Sequence, residues 1–265
     1  MGGFDIIHYL AVNALTISLA ATRVAVVFLI LPLFTPEMVP ALVRNSIFIA
    51  LALVSVIVQP AIDLTTILML DWILLYFKEA VIGVLIGGFF GIYLWAFETA
   101  GQIIDTQAGA SVAQVHDPMT GVQTTLIGSF LGRLANYVFV SAGGLILMTG
   151  FLLESYHLWP LDKLTFDLNI EGFIRLGSEF ASYFELAILV ASPIIVVILT
   201  IDVLMGLINR YAQQFNVFFL SLSLKMLAAT SMLFITIIAL VELLVKEIRN
   251  HSMNMADILQ AILGS

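Results

Sequence analysis

The stretch Lys78-Glu-Ala-Val-Ile-Gly-Val-Leu-Ile-Gly-Gly-Phe-Phe-Gly-Ile-Tyr-Leu-Trp-Ala-Phe-Glu98 decides how the chain is read. It is apolar enough for a membrane helix, yet it opens on a Lys-Glu pair lying inside a longer apolar block, residues 64–97. The uncharged part, residues 80–97, is 18 long, against the about 20 apolar residues that a lipid-spanning helix needs. The same shortfall recurs at residues 6–22 (17 uncharged), 45–62 (18) and 186–201 (16), and only residues 134–153 reach 20. The interrupting charges are Arg23, Lys78, Glu79, Arg133, Asp202 and Lys225. Each would cost roughly 2.5–3.5 kcal/mol near a bilayer centre, so each demands a partner or water. The expectation is an all-α chain whose helices contact protein or an aqueous channel as much as lipid, not a conventional multispanning bundle.

Six apolar blocks are legible, at residues 6–34, 41–58, 64–97, 126–153, 184–208 and 215–245, and the longer ones can each break into two helices. Composition agrees with them. Of the 265 residues, 61% are hydrophobic and 11% charged, against roughly 25% charged in a soluble domain. Ten Lys+Arg and 18 Asp+Glu do not cover a water-facing surface, which excludes an ordinary soluble enzyme. A net charge of -8 without a Lys/Arg cluster excludes nucleic acid as a partner. The absence of cysteine removes disulfides, thiolate metal sites and a Cys nucleophile. Asp5 is the sole charge before Arg23, so the first block lacks the basic region of a cleaved leader and is expected to be retained. Lys/Arg counts of two against four on the two sides of a six-span arrangement are too even to orient the chain.

Gly83, Gly87 and Gly91 stand at i, i+4 and i+8, and Gly128 and Gly132 repeat the spacing in the next block. Bare faces of this kind let another helix backbone approach closely, within the chain or on another subunit. Between those blocks lies the polar segment 98–121, which has no Lys or Arg. Its first half has helical spacing, with Gly101, Asp105 and Gly109 aligned; its second half, His116-Asp117-Pro118-Met119-Thr120-Gly121, reads as a turn. Ala108, Gly109, Ala110, Ser111 and Ala113 are small enough for a confined space, and long polar segments of this kind tend to carry function.

Catalytic chemistry finds little support. Gly109-Ala110-Ser111 echoes an intramembrane serine protease, but no helix-borne histidine partners it. His8, His116, His157 and His251 are scattered, and neither a phosphate-binding Gly-x-x-x-x-Gly-Lys nor a His-Glu-x-x-His metal pair occurs, so no cofactor or metal is expected. A secondary transporter or ion channel stays open as the physical alternative, with Asp202, Arg133 and Lys225 as its midplane site. Residues 253–263 form a short amphipathic stretch suited to helix packing or surface docking.

The strings Gly101-Gln-Ile-Ile-Asp-Thr-Gln-Ala-Gly-Ala-Ser111, Asp117-Pro118, Arg44-Asn-Ser-Ile and Asn209-Arg-Tyr-Ala-Gln-Gln-Phe-Asn-Val-Phe-Phe219 carry a family likeness over nearly the whole chain. It resembles the T-subunit of the type III secretion export apparatus, the family that includes the flagellar protein FliR. Asp117-Pro-Met-Thr-Gly-Val-Gln-Thr looks more like injectisome than flagellar members. The resemblance implies a non-enzymatic channel component of the bacterial inner membrane, with much of the assembly on its periplasmic side. It implies hydrophobic helical hairpins resembling an R-type unit (about residues 1–175) fused to an S-type unit (176–265). It implies R-type and S-type subunits as partners, U-type and V-type subunits nearby, membrane lipid around them, and unfolded proteins as substrates. A plug would map to residues 109–121, drawing on Gly109, Ala110, Ser111, Gln114, Asp117, Pro118 and Met119, with Asp105 and Gln107 at its root. The charges Arg23, Lys78, Glu79, Arg133, Asp202 and Lys225 become interhelical or intersubunit partners.

Overall fold

The computed structural model of the chain describes residues 3–33, 39–58, 69–109, 125–162, 170–211 and 217–263. Among them the regular structure is entirely α-helical: α1 (Gly3–Ile30), α2 (Ala41–Val58), α3 (Met69–Ala108), α4 (Leu126–Ser141), α5 (Gly144–Leu158), α6 (Ile170–Tyr211) and α7 (Val217–Leu263). Where six apolar blocks are read from the sequence, the described residues form seven helices, because the fourth block breaks. Gly143 adopts φ +84°, a left-handed conformation that glycine takes without a Cβ penalty. Ala142 N–H closes α4 on the Val138 carbonyl at 2.8 Å, and the Gly143 carbonyl accepts Ile146 N–H and Leu147 N–H to start α5.

Two local devices keep the helices regular. At the start of α2, the Pro40 carbonyl accepts the Arg44 N–H at 3.1 Å, using proline where no backbone donor is needed. Inside α6, Pro193 has no N–H for the Leu189 carbonyl. The Ser192 hydroxyl donates to that carbonyl instead, at 3.0 Å.

Among the described residues, four helices are long and apolar enough to cross a membrane, over Asn13–Ile30, Asp71–Ala108, Phe180–Tyr211 and Val217–Asn250, and α4 with α5 makes a fifth, broken one. At 1.5 Å per residue, the 40 residues of α3, the 42 of α6 and the 47 of α7 extend about 60–70 Å. A bilayer's hydrocarbon layer is about 30 Å thick. These helices therefore overrun it, unlike those of a conventional bundle.

The chain divides into two compact units. One comprises Met1–Gly91, Gly143–Leu176 and Met255–Ser265; the other comprises Ile92–Ala142 and Gly177–Asn254. In the first, α1 packs on α2, and α2 also touches α5; its core holds Leu19, Val24, Phe28, Leu75, Ile82 and Leu152. In the second, Phe97, Ile104, Leu131, Phe139, Ile194 and Leu233 are buried, and the Thr99 and Tyr183 hydroxyls share a short hydrogen bond between α3 and α6. Large apolar side chains on α6 and α7 are left uncovered, among them Phe184 (65% exposed), Phe234 (70%) and Ile238 (71%).

Candidate functional site

The first constellation lies wholly within the first unit. Arg23, in the C-terminal half of α1, meets Glu79 of α3 with two prongs: Nε donates to Oε2 at 2.6 Å and Nη2 to Oε1 at 3.0 Å. The remaining guanidinium donors reach the end of α5, Nη1 to Ser155 Oγ at 2.9 Å and Nη2 to the Trp159 carbonyl at 2.8 Å. The guanidinium also lies 4.0 Å from the Tyr156 ring centre. Planar, always-charged Arg suits this mix of fork and ring stacking in a way Lys does not.

Lys78 completes the group. Its Nζ is 2.9 Å from Glu79 Oε1 and donates to the Pro160 carbonyl at 2.7 Å and the Leu161 carbonyl at 3.4 Å. Arg23 and Glu79 are 0% exposed and Lys78 is 2% exposed, so water screens none of the three. Two cations face one buried carboxylate, and the chain running out of α5 adds carbonyl dipoles and, acting on Lys78, the charge of Asp162. Breaking a buried pair by removing one partner costs about 3–5 kcal/mol, because a charge is left uncompensated.

Glycines set the spacing of the helices that carry these charges. A Cβ at Gly83 would lie 2.8 Å from Val26 Cβ and 3.0 Å from the Arg23 carbonyl; one at Gly87 would lie 3.0 Å from Ile30 Cβ and from the Val27 carbonyl. The face that Gly83 and Gly87 leave bare is thus filled by α1 of the same chain, and the close approach lets Arg23 reach Glu79. Gly91, one turn on, is buried.

The second constellation is the root of the polar segment, in the second unit. The helical spacing of residues 98–108 is realised as the last turns of α3, which Gly109 ends in the left-handed conformation at φ +77°. Asp105, 1% exposed, does not face solvent but reaches the start of α4. Its Oδ2 accepts Ile127 N–H at 2.8 Å and Gly128 N–H at 3.0 Å. The residue at the N-cap position itself, Thr125, makes no side-chain cap; the carboxylate that satisfies these helix-start donors comes from another helix. Among the described residues, the buried Asp105 Oδ1 has no hydrogen-bond partner. Beside this contact, a Cβ at Gly101 would stand 2.5 Å from Gly128 Cα, so α3 and α4 meet glycine to glycine. Gly132 faces the Glu98 side chain, 3.4 Å from where its own Cβ would be. Gln107 is exposed. Ala110, Ser111, Gln114, Asp117, Pro118 and Met119 lie outside the described residues.

Of the other charges, Asp202 of α6 and Lys225 of α7 form an ion pair at 2.9 Å, with side chains 41% and 12% exposed. It borders a groove of about 340 Å³ lined by Asp202, Met205, Gly206, Asn209, Val217, Phe218 and Ser221. Arg133, grouped from the sequence with the buried charges, is exposed. It lies two residues beyond the buried Leu131 and two before the buried Ala135, on the opposite side of α4. Of the three groups of the transporter alternative, Asp202 pairs with Lys225, and among the described residues no ion pair joins Arg133 to them. Among the described residues no cluster of three or more His, Asp or Glu side chains is placed to hold a metal.

Sequence reading missed Ser155, Tyr156 and the carbonyls of Trp159, Pro160 and Leu161 as partners of the charges. Pro160 was the available signal: proline just past a helix end marks terminal carbonyls left for outside donors.

Residues 14–251 match the family described as bacterial export proteins, family 1. The chain belongs to that family. Among its relatives, the surface presentation of antigens protein SpaR of Salmonella typhimurium is 32% identical over 220 residues, 83% of this chain and 80% of the relative. The Yop proteins translocation protein T of Yersinia pestis is 30% identical over 225 residues, 83% and 85% of the two chains. The flagellar biosynthetic protein FliR of Bacillus subtilis is 31% identical over 216 residues, 80% and 82%. Flagellar and non-flagellar relatives stand at similar identity, as expected of the T-subunit and FliR family of the type III secretion export apparatus. This export protein is accordingly a membrane component of that apparatus, with the inner membrane as its location.

Proposed function

We propose that the chain is a non-enzymatic subunit of the export gate and that residues 109–121 form a plug sealing a channel for unfolded proteins at rest. The observation that carries the reading is the bond of Asp105 to Ile127 and Gly128. It joins the two helix ends from which residues 110–124 depart, so a polar segment of small residues is held by a fixed base. The uncovered apolar faces of α6 and α7 suit membrane lipid and R-type and S-type subunits, with U-type and V-type subunits nearby and part of the assembly on the periplasmic side. The division into an R-like part (about 1–175) and an S-like part (176–265) belongs to this reading.

The test is deletion of residues 110–120 in the assembled complex. The subunits should still co-purify, and the closed complex should leak ions in planar bilayers. Conductance unchanged from the intact complex overturns the plug.

A further inference from the structure

We infer that the Arg23–Glu79–Lys78 group is a conditional lock, by which the pairing of α1 with α3 depends on the end of α5. This goes beyond the gate reading and does not rest on it. Arg23 and the Lys78-Glu79 pair each lie within helices otherwise apolar enough for a membrane. Glu79 answers both Arg23 and Lys78, so α1 and α3 together carry two cations and one anion at a site with 0–2% exposure. Other groups add to the shell from outside the two helices. They are Ser155 Oγ, the Tyr156 ring and the carbonyls of Trp159, Pro160 and Leu161. Tyr156 adds a tie of its own, its hydroxyl donating to the Ala20 carbonyl of α1 at 2.8 Å.

The physical consequence is an order of events. Until the segment 155–161 docks, α1 and α3 hold two buried cations against the single Glu79 carboxylate, and closing their glycine-spaced contact is unfavourable. Once it docks, the same charges hold three helices in a single register. An apolar substitute would let α1 and α3 pair at any time.

The chain has no cysteine, so an engineered pair reports pairing without background. Ile30→Cys with Gly87→Cys places one on each helix, where the two Cβ positions are 3.0 Å apart, just under the about 3.5–4.5 Å of a disulfide, so the bond forms as the helices ease apart by about half an ångström. In the full-length protein, Ser155→Ala with Tyr156→Leu should lower the crosslinked fraction by about fivefold or more, although neither residue touches position 30 or 87. In a background carrying Arg23→Met, Lys78→Met and Glu79→Met, the same two changes should alter it by less than about twofold. Three results overturn the lock. One is undiminished crosslinking with the charges present. Another is an equal loss in both backgrounds, which would make Tyr156 simple packing. The last is an apolar background that fails to crosslink even with Ser155 and Tyr156 intact.

Discussion

Gly101 of α3 and Gly128 of α4 meet backbone to backbone: a single carbon added at position 101 would come within 2.5 Å of Gly128 Cα and 2.7 Å of Gly128 N. The obstacle is main chain, which cannot rotate aside. Gly101→Ala should therefore push the two helices apart and destabilise the second unit by about 1–3 kcal/mol. Thermal unfolding in detergent measures it, and an unchanged midpoint would refute the contact.

The neighbouring carboxylate gives a sharper test. Asp105→Ala leaves the N–H groups of Ile127 and Gly128 buried without an acceptor, at a cost of about 1–3 kcal/mol. Amide hydrogen exchange should rise across the first turn of α4. Asp105→Asn keeps an oxygen acceptor and should show a smaller rise; equal exchange in the two variants would mean that the bond contributes nothing to the cap.

Gly87→Leu puts a branched side chain where only 3.0 Å separates a Cβ from Ile30 Cβ and from the Val27 carbonyl. Since α1 of the same chain fills this face, the fault is expected within the subunit, with complex recovery falling as a consequence. Protease resistance of the detergent-solubilised chain should drop together with co-purification. Full resistance and full stoichiometry would count against the prediction.

The ion pairs should separate by burial. Glu79→Gln uncovers two buried cations and should lower stability by about 3–5 kcal/mol. Asp202→Asn breaks a pair whose carboxylate is 41% exposed, where water and salt replace the partner, and should cost no more than about 1 kcal/mol. Midpoints of denaturant unfolding for the two variants rank them, and a reversed order would show that burial does not govern these charges.

Much of the fold is legible in residue order because helix formation is local. The apolar blocks, the helical spacing through Asp105, and the glycine rows at Gly83–Gly87 and Gly128–Gly132 depend on neighbours within a few turns. So does the rule that Arg23, Lys78 and Glu79 cannot stand unpartnered in an apolar setting. The break at Gly143 is a harder case, since an isolated glycine in an apolar run reads equally well as packing.

Partnership is another matter. Residue order shows that Arg23 needs an anion but not that Glu79, 56 positions on, supplies it, nor that the Trp159 carbonyl, 136 positions on, completes its shell. It marks Asp105 as a polar residue near a turn, whereas the folded chain makes it the cap of another helix, with Gly101 and Gly128 giving the room. The reason is physical. Helices form through bonds four residues apart, but a buried charge is satisfied by whichever groups the packing of those helices brings within about 3 Å, and carbonyls such as those of Trp159, Pro160 and Leu161 have no side-chain identity in the sequence at all. The sequence alone thus determined an all-helical, apolar chain with charges that require partners; the tertiary structure alone decided which partners they have.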